Sequence, residues 1–90
     1  MDVDRHHVTV DGAEVHLTLV EFRLLQALLE SPQRAFTREQ LLNHIYADHE
    51  AVVVDRAIDV HVGKLRQKLG DDPDHPRFIA TVRGVGYKLL

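Results

Sequence analysis

Along this chain the spacing of apolar residues changes several times, and each change predicts an element. In residues 7–17 apolar and polar positions alternate on both sides of Asp11-Gly12, a pair that suits a tight hairpin turn. Two short strands are predicted there. Such a hairpin is marginal alone, so it is expected to lie against the helix that follows. The period then lengthens to that of a helix. Thr18-Leu19-Val20-Glu21 reads as a capping box, with Leu17 and Phe22 at the spacing of a hydrophobic staple. Phe22, Leu25, Leu28 and Leu29 form the expected buried stripe of a first helix, which Ser31-Pro32 ends near Glu30. The device recurs at Thr37-Arg38-Glu39-Gln40, stapled by Phe36 and Leu41, and opens a second helix with Leu41, Leu42, Ile45 and Tyr46 inward. Residues 47–53 read as a loop. Asp55 is the expected N-cap of a third helix that runs to Leu69, with Gly70 just past its end. After an acidic loop from Asp71 to Pro76, residues 78–82 and 86–90 read as strands around Arg83-Gly84-Val85-Gly86. The predicted fold class is α+β: N-terminal antiparallel strands, three helices and a C-terminal hairpin.

The third helix separates two kinds of surface. Ile58, Val62, Leu65 and Leu69 recur at steps of four, three and four, which places them on one narrow stripe. Arg56, Val60, Gly63, Lys64 and Gln67 fall opposite. Asp59 and Arg66 flank one side of the stripe, His61 and Lys68 the other. Cations and an apolar residue on an outward helix face suit the major groove of duplex DNA. Lysine or arginine reaches guanine O6 and N7 or a phosphate, and a valine meets a thymine methyl. Basic surface helices are also common without any nucleic-acid role. The hairpin strengthens the case, because Arg83 stands at its turn beside glycines that let the backbone come close to a partner.

Charge and composition narrow the choices. Ninety residues make one small domain, and its net charge of −3 argues mildly against nucleic acid. The distribution reverses that argument. Residues 1–55 hold four Arg/Lys against ten Asp/Glu, whereas residues 56–90 hold seven against four. One basic face is what a phosphate-binding protein needs. Without cysteine there is no disulfide and no cysteine-based zinc site. The seven histidines are scattered over different elements, and no nucleophile–base arrangement or phosphate-cradling glycine loop emerges. No enzyme activity, metal site or cofactor is therefore expected. Neither a signal peptide nor a membrane-spanning apolar run is evident, so a cytoplasmic location is expected and no membrane partner.

Three segments together resemble the winged helix-turn-helix DNA-binding domain of OmpR/PhoB-type response regulators. They are LTLVEFRLLQALLESPQRAFTREQLLNHIY, VDRAIDVHVGKLRQKLG and FIATVRGVGYKL, and the resemblance covers nearly all of residues 3–90 in order. It implies sequence-specific binding of double-stranded DNA in transcription regulation, as the output domain of a two-component regulator. It also implies a chain that lacks its N-terminal receiver, through which alone a sensor kinase would act. The third helix would enter the major groove. Arg56, His61, Lys64 and Arg66 match family positions that contact phosphates or bases, and Thr81 and Arg83 match wing contacts, Arg83 near the minor groove. With Val60 and Lys68 of the same helix these residues form the expected DNA-binding set. Tyr87 matches a wing tyrosine read here as packing the hairpin on the helices. The loop holding Asp48, His49 and Glu50 matches one that can touch RNA polymerase. Family members occupy direct repeats as head-to-tail dimers, and the isolated domain is expected to be monomeric.

This sequence departs from the family pattern at three positions. Tyr46 stands where tryptophan is usual, Ala57 where threonine or serine is usual, and Gly63 where a basic residue is frequent. Fewer contacts imply weaker binding by the lone domain or a different base preference. The competing reading is a winged helix that docks a protein rather than DNA, its basic face meeting an acidic partner.

Overall fold

The computed structural model describes residues 7–46 and 55–90, with the backbone alone for residues 55–57. The element order is β1 (Val8–Val10), β2 (Ala13–Val15), α1 (Leu19–Glu30), β3 (Phe36–Thr37), α2 (Arg38–Ile45), α3 (Asp55–Leu69), β4 (Ile79–Val82) and β5 (Gly86–Leu89). Asp11 and Gly12 both take positive φ, 52° and 82°, which is the twist a two-residue hairpin turn requires. Val8 of this hairpin is buried, and Val10, Val15 and Leu17 pack on the same core.

Both capping boxes form. At α1 the Thr18 hydroxyl accepts from the Glu21 N–H (3.3 Å), and the Glu21 carboxylate accepts from the Thr18 N–H (3.0 Å). At α2 the Thr37 hydroxyl accepts from the Gln40 N–H (3.1 Å), while the Gln40 side-chain oxygen accepts from the Thr37 N–H (2.9 Å). Four orphan donors at two helix starts are thereby satisfied. The far end of α3 closes as a Schellman motif. Gly70 (φ 69°) donates to the Gln67 carbonyl and Asp71 to the Arg66 carbonyl.

The predicted α3 stripe is buried throughout: Ile58, Val62, Leu65 and Leu69 are among the core residues. Helix α1 differs from its predicted stripe. Phe22, Leu25 and Leu28 are buried as expected, but Leu24 and Ala27 are buried too and Leu29 is exposed. Contacts with α2, α3 and β5 cover α1 over a wider arc than a single stripe. On α2, Leu41 and Ile45 are buried while Leu42 and Tyr46 are half-buried at the core's edge.

The C-terminal hairpin gains a strand that its sequence does not announce. The sheet order is β3-β5-β4, all antiparallel, with Phe36 opposite Tyr87 and Thr37 opposite Gly86. Thr37 therefore caps α2 and pairs with β5 at once. The wing is rooted on the connection between α1 and α2 by this strand.

Candidate nucleic-acid interface

The exposed side of α3 carries Val60, Gly63, Lys64 and Gln67. Val60 is 51% exposed, a large apolar side chain held in water by the same helix rotation that buries Ile58. Lys64 makes no ion pair among the described residues, so its ammonium is available to a partner. His61 is half-buried on the flank. The Arg56 side chain and Asp48, His49 and Glu50 lie outside the described residues.

At the wing tip, Val85 donates its N–H to the Val82 carbonyl (3.0 Å) and Gly84 takes a φ of 78°. A side chain at that φ would be strained, so glycine makes the turn cheaply. Arg83 is exposed in this turn and, like Lys64, has no ion-pair partner among the described residues.

Several other cations are already engaged. Arg66 differs from the outward flank position expected for it. It is 8% exposed, and one terminal nitrogen donates to both the Ile79 carbonyl and the Thr81 hydroxyl at 2.9 Å. Its guanidinium carbon lies 5.5 Å from the centre of the Tyr87 ring. Thr81, exposed as a residue, uses its hydroxyl to accept from Arg66 rather than standing free. Lys68 turns to α1, where it pairs with the buried Glu21 carboxylate at 2.5 Å. Arg77 grips Asp11 through two bonds of 3.0 Å and ties the first hairpin to the approach to β4. Among the described residues, Lys88 is half-buried with no ion pair, so the basic balance of residues 56–90 narrows there to Lys64 on the helix and Arg83 on the wing as exposed, unpaired cations.

A cluster beside α3 escaped the sequence reading. Asp59 accepts from Arg38 Nε (2.8 Å) and from the Tyr87 hydroxyl (2.5 Å). Arg38 also lies 5.5 Å from the Tyr87 ring centre, so guanidinium groups from α2 and α3 both attend one ring. One signal was visible in sequence. Arg38 opens α2, where the helix dipole disfavours a cation, so a specific anionic partner is called for. The Tyr87 hydrogen bond and the neighbouring guanidinium hold the Asp59 carboxyl below the usual range despite partial burial. Burial and the Asp59 charge push the Tyr87 hydroxyl up.

Glu21 and Asp71 are also depressed. Burial pushes each carboxyl up, but the hydrogen bonds outweigh it: Lys68 and the Thr18 N–H at Glu21, and the backbone N–H groups of Ile79, Arg77 and Phe78 at Asp71. A carboxyl with a lowered folded-state pKa stabilises the fold fully above its unfolded value, and that stabilisation is lost as the pH falls through the folded value. The melting temperature should therefore fall steeply below about pH 4. Glu21→Gln should be less stable at neutral pH and show a shallower acid slope. Thermal melts across that range read both effects, and an unchanged slope would show that Glu21 contributes nothing to acid sensitivity.

Three helices with a hairpin wing fastened beside the third define a winged helix. The chain belongs to the family described as "Transcriptional regulatory protein, C terminal", which matches residues 12–89. It is 46% identical over 90 residues to the sensory transduction protein RegX3 of Mycolicibacterium smegmatis, covering 99% of this chain and 39% of that protein. The chain thus spans about two fifths of the length of that relative. Among solved structures it is similar to the DNA-binding domain of the response regulator AdeR in complex with an intercistronic region, at a TM-score of 0.82 and 36% identity. That match covers 99% of this chain and 88% of the other. The response regulator DrrB, a Thermotoga maritima OmpR/PhoB homologue, aligns with a TM-score of 0.87 and 35% identity over 99% of this chain and 40% of its own. Among the described residues no helix is long and apolar enough to cross a membrane.

Proposed function

We propose that this chain binds double-stranded DNA sequence-specifically and serves as the output domain of a cytoplasmic transcription regulator. The observation that carries the reading is the placement of two exposed cations that are unpaired among the described residues, Lys64 on the outward face of α3 and Arg83 at the tip of the wing, on a fold whose relative AdeR is solved with DNA. Helix α3 lies in the major groove, with Lys64 at a guanine or phosphate and Val60 against a thymine methyl. Arg56 and His61 contact phosphates or bases beside them. Arg83 approaches the adjacent minor groove. Arg66 and Lys68 hold the fold together, and Thr81 sits at the foot of the wing.

Affinity should fall linearly in log–log form with salt, by about 0.9 in slope for each phosphate neutralised. A flat response would remove the electrostatic reading. Lys64→Ala should cost about 1–3 kcal/mol and relax preference at one base-pair position if it reads a guanine. Arg83→Ala should lose affinity mainly where flanking sequence is rich in A/T, because a narrow minor groove concentrates negative potential there. Binding of both variants to a randomised duplex library distinguishes these outcomes. Unchanged binding by both would place the wrong surface on DNA.

The whole regulator's arrangement belongs to the same proposal: a receiver answering a sensor kinase, RNA polymerase contact through Asp48, His49 and Glu50, and head-to-tail pairs on direct repeats. Successive α3 helices would then lie about one turn apart, 10–10.5 base pairs. Duplexes with varied half-site spacing and orientation test this, and preference for an inverted repeat would refute the head-to-tail order.

A further inference from the structure

We propose that Arg66 is a positioning residue: it locks the wing onto α3 and so fixes where Arg83 stands, without itself touching DNA. The inference rests on the DNA-binding reading and assigns Arg66 a different task from the contact that the family resemblance implies.

The guanidinium lies inside the fold. Two hydrogen bonds from it end on β4, at the Ile79 carbonyl and the Thr81 hydroxyl, and its face covers Tyr87 of β5. Thr81 and Tyr87 are direct cross-strand partners, so they share one face of the wing sheet, and Arg66 grasps both strands at that point. Thr81 is two residues from Arg83. A second clasp sits seven residues earlier on α3, where Asp59 accepts from the same Tyr87 hydroxyl. Seven residues span about 10 Å of helix axis, so the two clasps resist rotation of the wing as well as its departure. Among the described residues, the buried Arg66 Nε has no hydrogen-bond partner. A buried donor left unpaired is a cost, and here it accompanies a geometry that directs another nitrogen of the guanidinium to two wing oxygens.

A double-mutant cycle tests the assignment. In the 90-residue chain, Arg66→Met and Arg83→Ala should each weaken binding to a cognate duplex. Together they should weaken it no more than Arg83→Ala alone, to within about twofold, because Arg66 acts only through the wing. Arg66→Met combined with Lys64→Ala should multiply the separate losses. A full multiplicative loss with Arg83→Ala would show that Arg66 contacts DNA independently and would overturn the proposal. Where Arg66→Met fails to fold, Arg66→Lys carries the same cycle; it keeps the charge and the apolar stem but lacks the planar fork.

A second arm needs no DNA. Amide hydrogen exchange along β4 and at the Val85 N–H should speed about tenfold or more in the Arg66 variant, while the α1 core amides stay protected. Unchanged wing exchange overturns the positioning role whatever the duplex assays give. Absence of duplex binding by the unaltered chain, with wing exchange accelerated as expected, would instead sink the DNA reading and leave the clasp standing.

Discussion

Ile58→Asp should abolish the cooperative thermal melt of this domain rather than selectively remove its partner binding. Ile58 is fully buried on α3 and belongs to the core shared by the three helices. Truncating such a side chain alone costs about 2–5 kcal/mol. A carboxylate there adds the desolvation of a charge in the apolar core. A domain's whole stability is about 5–15 kcal/mol, so the sum is enough to unfold a chain this small. Circular dichroism on heating provides the test. A near-wild-type melt would mean that α3 is rotated and that Val60 and Lys64 are not its outward residues.

The second large effect is expected at a glycine. A Cβ on Gly86 would stand 2.1 Å from the Phe36 carbonyl oxygen and 3.2 Å from the Thr37 Cα, both backbone atoms with no freedom to swing aside. Gly86→Ala must therefore push β3 away from β5. Overpacking of this kind costs about 1–3 kcal/mol, and each kcal/mol lowers the melting temperature of a domain this size by roughly 4–8 °C. Gly63→Ala is the natural control. Its Cβ would meet nothing within 4 Å, and alanine favours an exposed helix by up to about 1 kcal/mol over glycine. The same substitution should thus lower stability at one site and raise it at the other. Equal melting temperatures for the two variants would contradict the β3–β5 pairing.

What the sequence disclosed and what it withheld divide along a physical line. Both capping boxes were legible because each joins residues three apart, and the hairpin turn was legible because Asp-Gly carries its own backbone preference. The α3 stripe was legible because four apolar residues share one direction. Strand β3 was not. Its two residues already read as a staple and a cap, and its partner lies about fifty positions away. The flanks of α3 were ambiguous for another reason. Arg66 and Lys68 project roughly 70–90° from the stripe's centre, where neither core nor solvent is prescribed. Whether a side chain there turns in depends on what stands opposite. The wing oxygens draw Arg66 inward, and the buried carboxylate of Glu21 draws Lys68. Lys64 and Val60 lie far enough round the helix to be exposed whatever the neighbours are.

Asp71 gives the wing a fixed point of origin. Its N–H is bound to the last turn of α3 through the Arg66 carbonyl, and its carboxylate gathers the N–H groups of Arg77, Phe78 and Ile79. One residue therefore sets the distance from the helix to the first strand of the hairpin. Residues 72–76 form a bight outside that knot, and their number does not enter the measurement. Chain can be paid out there for little more than the entropy of a longer loop. The segment is thus a place where length can drift between descendants, or a tag be spliced, while the spacing between α3 and the wing is kept.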